Sequence, residues 1–292
     1  MRKSRARQSK RWMYIFVAII AAIAVYFGYE AEFATVSLPS DGVLRVHYID
    51  VGQADATLLI YNEYAMLIDA GDNATSRDVV RYLQRQGVTA LKYVIATHPH
   101  SDHIGGMAGV INAFEIETFI MPRVSHTTAT FERMIDAIEG NNLNVKAPVP
   151  GEVLPFGSAH ITVIAPNGDF YDNINNHSVA VRVELGETAF IFTGDAEAIS
   201  EREMVAEGRS LSARVLKTGH HGSRTSTTAE FLAAVNPEIA VISCGLNNSY
   251  GHPHRDVLER LEAANIRIYR TDLQGNIIIE TDGRVLNVIT ER

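Results

Sequence analysis

Cysteine is nearly absent: Cys244 is the one thiol in 292 residues, which excludes an internal disulfide framework and a cysteine-built zinc cluster. Proline is sparse at 9 residues, and the 21 glycines follow no repeating period, so collagen-like and low-complexity chains are excluded. Basic residues are also short, with 26 Lys and Arg against 34 Asp and Glu. Six of them (Arg2, Lys3, Arg5, Arg7, Lys10 and Arg11) stand in the first eleven residues, which contain no acid. The remainder has 20 basic against 34 acidic residues, about −14. Such a body does not cling non-specifically to polyanions, because that affinity comes largely from Lys and Arg neutralising phosphates. What is present is a globular balance of 46% hydrophobic and 21% charged residues, in a chain long enough to bury about three-quarters of its unfolded surface.

One long uncharged run stands out, residues 12–29, WMYIFVAIIAAIAVYFGY. As a helix it would extend about 27 Å, and Trp12, Tyr14, Tyr26 and Tyr29 would lie at the two interfaces of a bilayer. With the basic tail 1–11 ahead of it, the run predicts a single-pass transmembrane signal anchor. The N-terminus would be cytoplasmic and the catalytic domain extracytoplasmic, with the membrane as a partner. Ala22-Ile23-Ala24 also has the form of a signal-peptide cleavage site, which would make the protein secreted. Residues 30–42 read as a linker, and 43–292, without a compositional break, as one domain.

Within that domain, short apolar runs predict strands at 44–49, 56–60, 65–68, 93–96, 161–164, 179–185, 189–193, 215–217, 240–243, 267–270 and 275–280. Helical spacing predicts helices at 77–85, 131–138, 199–207, 228–235 and 255–264. Strand groups interrupted by single helices imply sheets covered by helices.

The informative feature is the distribution of the eleven histidines. Thr97-His98-Pro99-His100-Ser101-Asp102-His103 sets three imidazoles and a carboxylate immediately after a buried strand. Those are the donors that hold borderline first-row ions, and their placement suits two metals better than one. Comparable residues stand at other strand ends: Asp69, His177, Asp195 and the pair His220-His221. His47, His126 and His160 fall outside this pattern and read as surface or satisfied interior groups. No Gly-x-Ser-x-Gly elbow supports a serine nucleophile.

The run at 98–103 with its ordered partners resembles the metallo-β-lactamase superfamily. Val51-Gly52-Gln53-Ala54-Asp55-Ala56, Leu216-Lys217-Thr218-Gly219-His220-His221-Gly222-Ser223, Tyr250-Gly251-His252-Pro253-His254 and Tyr269-Arg270-Thr271-Asp272 are similar to the C-terminal hydrolase domain of the ComEC competence proteins and its stand-alone relatives. The resemblance implies a four-layer αββα sandwich of the α/β class with two divalent ions at one edge, zinc first and manganese or iron(II) as alternatives. It implies His98, His100 and His177 on one ion, Asp102, His103 and His221 on the other, and Asp195 bridging. Asp69 would orient a ligand histidine. The implied activity is hydrolysis of phosphodiesters or related phosphoesters, nucleic acid included, by a metal-bridging hydroxide. Asp102 and Asp195 would position the nucleophile, and His220 and His252 would serve the leaving group. Ser223, Thr271 and the backbone at Gly222 are candidates for holding non-reacting oxygens. Lactone or β-lactam hydrolysis, and a silent metal-binding sensor domain, are the competing readings.

Overall fold

The computed structural model describes residues 38–292. The first sheet takes its strands largely from the N-terminal half: β1 (Leu44–Tyr48), β2 (Thr57–Tyr61), β3 (Tyr64–Ile68), β4 (Ala90–Ile95), β5 (Glu115–Ile120) and β6 (Val145–Lys146). The second sheet holds β7 (Val153–Phe156), β8 (Ala159–Ala165), β9 (Ala180–Leu185), β10 (Thr188–Phe192), β11 (Val215–Lys217), β12 (Ile239–Ile242) and β13 (Arg267–Arg270). The chain then returns to the first sheet with β14 (Ile277–Thr281) and β15 (Leu286–Thr290). The strand orders are β15-β14-β1-β2-β3-β4-β5-β6 and β13-β12-β11-β10-β9-β8-β7.

Alternation along the strands divides the core into three layers, because successive side chains point to opposite faces. Leu44, Val46 and Tyr48 of β1 meet Phe190, Phe192, Val215 and Val241 between the sheets. Leu58, Ile60, Leu67 and Val94 face outward from the first sheet onto Val79, Leu83, Val110 and Met134. Ile191, Leu216, Ala240 and Ile242 face outward from the second sheet onto Phe231, Leu232, Val257 and Leu261. The covering helices on the first sheet are α1 (Ser76–Arg85), α2 (Ser101–Ile104), α3 (Met107–Ala113) and α4 (Ala129–Gly140). On the second they are α5 (Ala198–Ala206), α6 (Ala229–Val235) and α7 (Arg255–Ala263), and α8 (Thr271–Gln274) follows β13. The α4 and α6 helices begin at threonines, Thr128 and Thr228, whose Oγ1 accepts from the backbone N–H three residues on.

The layers are those of the expected αββα sandwich. The transmembrane helix expected to precede that sandwich is corrected. Among the described residues no helix is long and apolar enough to cross a membrane, and residues 12–29, on which that expectation fell, lie outside the described residues. The single-pass topology, the membrane as partner and the extracytoplasmic placement all rested on that helix and are withdrawn with it.

Two parallel runs position the site. The β3, β4 and β5 strands are parallel neighbours, as are β10, β11 and β12. Their carboxyl ends deliver Asp69, the 97–103 loop, Asp195 and His220-His221 to one edge. Ligand sites of open α/β sheets lie at such ends.

Candidate metal centre

Gly194 allows the two sheets to meet at this edge. It adopts φ +53, and a Cβ there would lie 2.8 Å from Thr97 Cβ and 3.0 Å from Ser178 Oγ. The turn therefore brings Asp195 against the histidine loop in a way that any side chain at 194 would obstruct. Asp69 (φ 58), His220 (φ 49) and His221 (φ 53) also take left-handed backbone conformations without being glycine. Such strain persists only where the surroundings enforce it, and it gathers at functional sites.

Asp195, 1% exposed, is the centre of the arrangement. Its Oδ1 lies 3.2 Å from His103 Nε2 and 3.9 Å from His221 Nε2, while Asp102 Oδ2 is 3.2 Å from the same His221 atom. Its Oδ2 faces the other way, 3.7 Å from His98 Nε2 and 3.6 Å from His220 Nε2. His100 Nδ1 is 2.9 Å from His98 Nε2. One group of ligand atoms thus gathers from Asp55, His103, Asp195 and His221 and another from His98, His100 and Asp195, with Asp195 Oδ1 nearer the first and Oδ2 nearer the second.

The outer ring nitrogens are fixed by hydrogen bonds. Thr97 Oγ1 donates its one proton to Asp69 Oδ2 at 2.8 Å, so it accepts from His98 Nδ1–H at 3.1 Å. This leaves the His98 Nε2 lone pair toward Asp195. His221 Nδ1 donates to the Ser243 carbonyl at 3.0 Å, and His103 Nδ1 donates to Asp69 Oδ2 at 2.7 Å. Partners of this kind on the far nitrogen aim an imidazole at a metal.

The residues fit a pair of cations. His103 Nε2 and Asp195 Oδ1 are both buried and make no hydrogen bond, although they face each other. Burial would push the His103 imidazole down in pKa, yet the carboxylates of Asp195, Asp69 and Asp102 overcome it and hold its proton well above the ordinary range. His221 behaves likewise: burial is outweighed by Asp55, Asp195 and Asp102, and its pKa is pushed up to about 10. These carboxylates demand positive charge at this point. Burial dominates at His98 and His100, and both imidazoles are held down in the neutral form that binds a metal.

His177 does not join either group. Its Nε2 lies 3.3 Å from the Tyr171 carbonyl and its ring stands edge-on to Tyr171 at 5.0 Å, so the structure places it against the loop before β9. Asp69 lies behind His103, on its Nδ1 side. His220, on the other hand, is turned outward: its side chain is 23% exposed, with Nδ1 3.3 Å from Glu197 Oε1. His252 stands 5.5 Å from His220, ring to ring, and its pKa is held to about 4 by burial and then by the protonated His221 beside it.

Gln53, His100, Asp102, His126, Thr128, Asp195, His220, His221, Tyr250 and His252 are among the residues lining a cavity of about 310 Å³ over the two groups. His126, read from the sequence as a bystander, is one of them, with its ring 6.0 Å from that of His100. Thr271 is excluded as an oxygen holder, because its Oγ1 is engaged with both the N–H and the carbonyl of Cys244. Cys244 is fully buried, and burial pushes its thiol up to about 12. His254 stands at the N-terminus of α7 without a side-chain cap, and its Nδ1 accepts from the Arg224 N–H instead.

Sequence reasoning assigned no role to the buried Asp55–Lys217 ion pair at 2.5 Å. Asp55 lies on the Nδ1 side of both His103 (3.8 Å) and His221 (3.5 Å), away from the converging Nε2 atoms. Asp55 and Lys217 sit inside the motifs at 51–56 and 216–223, and the pairing of their opposite charges was the one available signal. Glu197, which accepts from Asn173, Asn175 and Thr225 as well as facing His220, carried no such signal.

The chain is 30% identical over 266 residues to ComE operon protein 3 of Bacillus subtilis, covering 85% of this chain and 34% of that protein. It is 31% identical over 228 residues to competence protein ComA of Neisseria gonorrhoeae, covering 77% and 30%. The chain thus spans about a third of the length of these curated relatives. Among solved structures, the metallo-β-lactamase fold protein YhfI from Bacillus subtilis superposes with a TM-score of 0.57 at 13% identity, over 82% of this chain and 100% of that one. CmlA, a diiron β-hydroxylase from Streptomyces venezuelae, gives 0.56 at 13% identity, over 83% and 55%. At such identities these likenesses show the fold alone. The profile of the metallo-beta-lactamase superfamily matches residues 49–246, and the chain belongs to that superfamily as a metal-dependent hydrolase.

Proposed function

We propose that the protein is a dinuclear hydrolase of phosphodiesters, with zinc at both positions. The observation that carries the reading is the division of Asp195, whose two oxygens face two separate groups of imidazoles. His98, His100 and Asp195 Oδ2 would hold one ion, and Asp102, His103, His221 and Asp195 Oδ1 the other. His/Asp ligation without cysteine suits zinc. When bound, two such ions supply Lewis acidity and a water-derived nucleophile at neutral pH.

The chain's own residues do the rest. Asp69, Ser243 and Thr97 keep the three buried imidazoles aimed at Asp195. Glu197 Oε1 lies 3.3 Å from His220 Nδ1 and Asp195 Oδ2 lies 3.6 Å from its Nε2, which places the Nε2 side of the ring to take up a proton from water and pass it to the leaving oxygen. The cavity wall includes His126, Thr128, Gln53 and His252, which can donate to the anionic oxygens of a phosphodiester. The kinship to the hydrolase domain of the ComEC competence proteins, read from four motifs, is part of this proposal. Relatives named for competence and recombination support it.

The test is a substrate panel on zinc-loaded protein: bis-p-nitrophenyl phosphate, a homoserine lactone and nitrocefin. Turnover of the phosphodiester that is lost with a chelator, and lost in Asp102→Ala and His100→Ala, is expected. Turnover confined to the lactone or nitrocefin contradicts the substrate class, and metal binding without any turnover favours a silent sensor domain.

A further inference from the structure

The mouth of the cavity contains a three-ring stack. The His252 ring lies nearly parallel to those of both His221 (6.2 Å, 25°) and Tyr250 (5.7 Å, 22°). Tyr250 is 67% exposed, so the stack runs from a buried ligand to the cavity rim. Asn248 Oδ1 accepts from the His252 N–H at 3.0 Å and fixes the backbone that carries the ring.

Gln53 settles which nitrogen of His252 bears the proton. Its Oε1 is 3.0 Å from the Gly245 backbone nitrogen, and a backbone N–H can only donate, so that atom is the amide oxygen. The remaining atom, Nε2, is an amide nitrogen that can only donate, and it lies 3.2 Å from His252 Nδ1. Nδ1 is therefore an acceptor and the ring proton sits on Nε2. That nitrogen has no hydrogen-bond partner among the described residues, and the ring lines the cavity.

We infer that Gln53 fixes His252 as an Nε2–H donor to a non-reacting, anionic oxygen of the substrate, so that His252 binds substrate and Gln53 is a positioning residue. The inference rests on the phosphodiester reading for the identity of the oxygen, not for the tautomer. It separates His252 from His220, whose Nδ1 faces a carboxylate: one imidazole binds and the other transfers the proton.

The test combines ¹⁵N spectra of histidine-labelled, zinc-loaded protein with kinetics on bis-p-nitrophenyl phosphate. In the unaltered protein the His252 signals should be those of a bare Nδ1 and a protonated Nε2. Gln53→Glu, whose carboxylate accepts from Nδ1–H, should invert that pattern. His252→Phe keeps the stack and removes the donor, and should raise KM about 10- to 100-fold while kcat changes much less. His252→Gln restores a donor and should recover most of the loss, which a purely structural role would not allow. A protonated Nδ1 in the unaltered protein, or a His252→Phe variant with unchanged KM, overturns the inference. If the unaltered protein turns over no phosphodiester, the hydrolase reading fails by itself. In that case inorganic phosphate is the probe: a shift of the His252 Nε2 signal on its addition supports the donor role, and no shift contradicts it.

Discussion

Around His103 and His221 every outward ring nitrogen is held, by Asp69 at 2.7 Å and by the Ser243 carbonyl at 3.0 Å. The Asp55–Lys217 pair is wedged behind both rings. Both imidazoles are at most 1% exposed. Around His98 and His100 the support is thinner. His98 is braced by the Thr97 and Ser178 hydroxyls at 3.1 and 3.3 Å, but His100 is half-buried and lines the open cavity. On the proposed ligation the more enclosed His103–His221 group has four protein ligands, of which Asp102 and His221 also line the cavity, and the more open His98–His100 group has three, which leaves more room there for an exchangeable ligand. Charge follows the same division, since carboxylates hold protons on His103 and His221 while burial keeps His98 and His100 neutral.

The strongest way to break this comparison is through the residue both halves share. Asp195→Ala should lower bound zinc at both positions and cut phosphodiester turnover about a thousandfold or more, as loss of several kcal/mol of metal-derived stabilisation implies. Metal analysis and initial rates would show it, and loss from one position only would mean that Asp195 does not bridge. Lys217→Met comes next, on the enclosed side, because it strands the buried Asp55 carboxylate. Breaking such a pair costs about 3–5 kcal/mol, read as a lower Tm. Asp69→Asn should weaken the enclosed position by about 10- to 100-fold in a competitive chelator titration and leave the open position near its original affinity. Ser178→Ala, on the open side, removes the weaker of two hydroxyl braces and should change affinity there by less than Asp69→Asn changes the enclosed one. His177→Ala should leave zinc content unaltered, since its ring faces Tyr171.

Most of the strand framework was legible because buried strands alternate or run apolar: 215–217 and 267–270 are predicted residue for residue. The β5 strand, EIETFI, was not seen, because half of it alternates charge with apolar residues at the surface and is organised by parallel pairing to β4. The short helices α2 and α3 escaped for a different reason. The first begins inside the ligand loop itself, where Ser101-Asp102-His103 reads as chemistry rather than as a helical turn. The clustering of His98, His100, Asp102 and His103 was visible because six residues of chain hold it together. Supports reached across long separations were not, such as Lys217 on Asp55, Glu197 on His220 and Gln53 on His252. The same limit explains His177 and His126: their sequence positions suggested a ligand and a bystander, and tertiary packing turned the first away from the site and the second into its wall.

Anomalous scattering from zinc-loaded crystals, collected at the zinc edge, tests the central claim directly. The account predicts two peaks, one on each side of the Asp195 carboxylate, the first among Asp102, His103 and His221 and the second beside His98 and His100. A single peak, or two peaks of which only one touches Asp195, would contradict it.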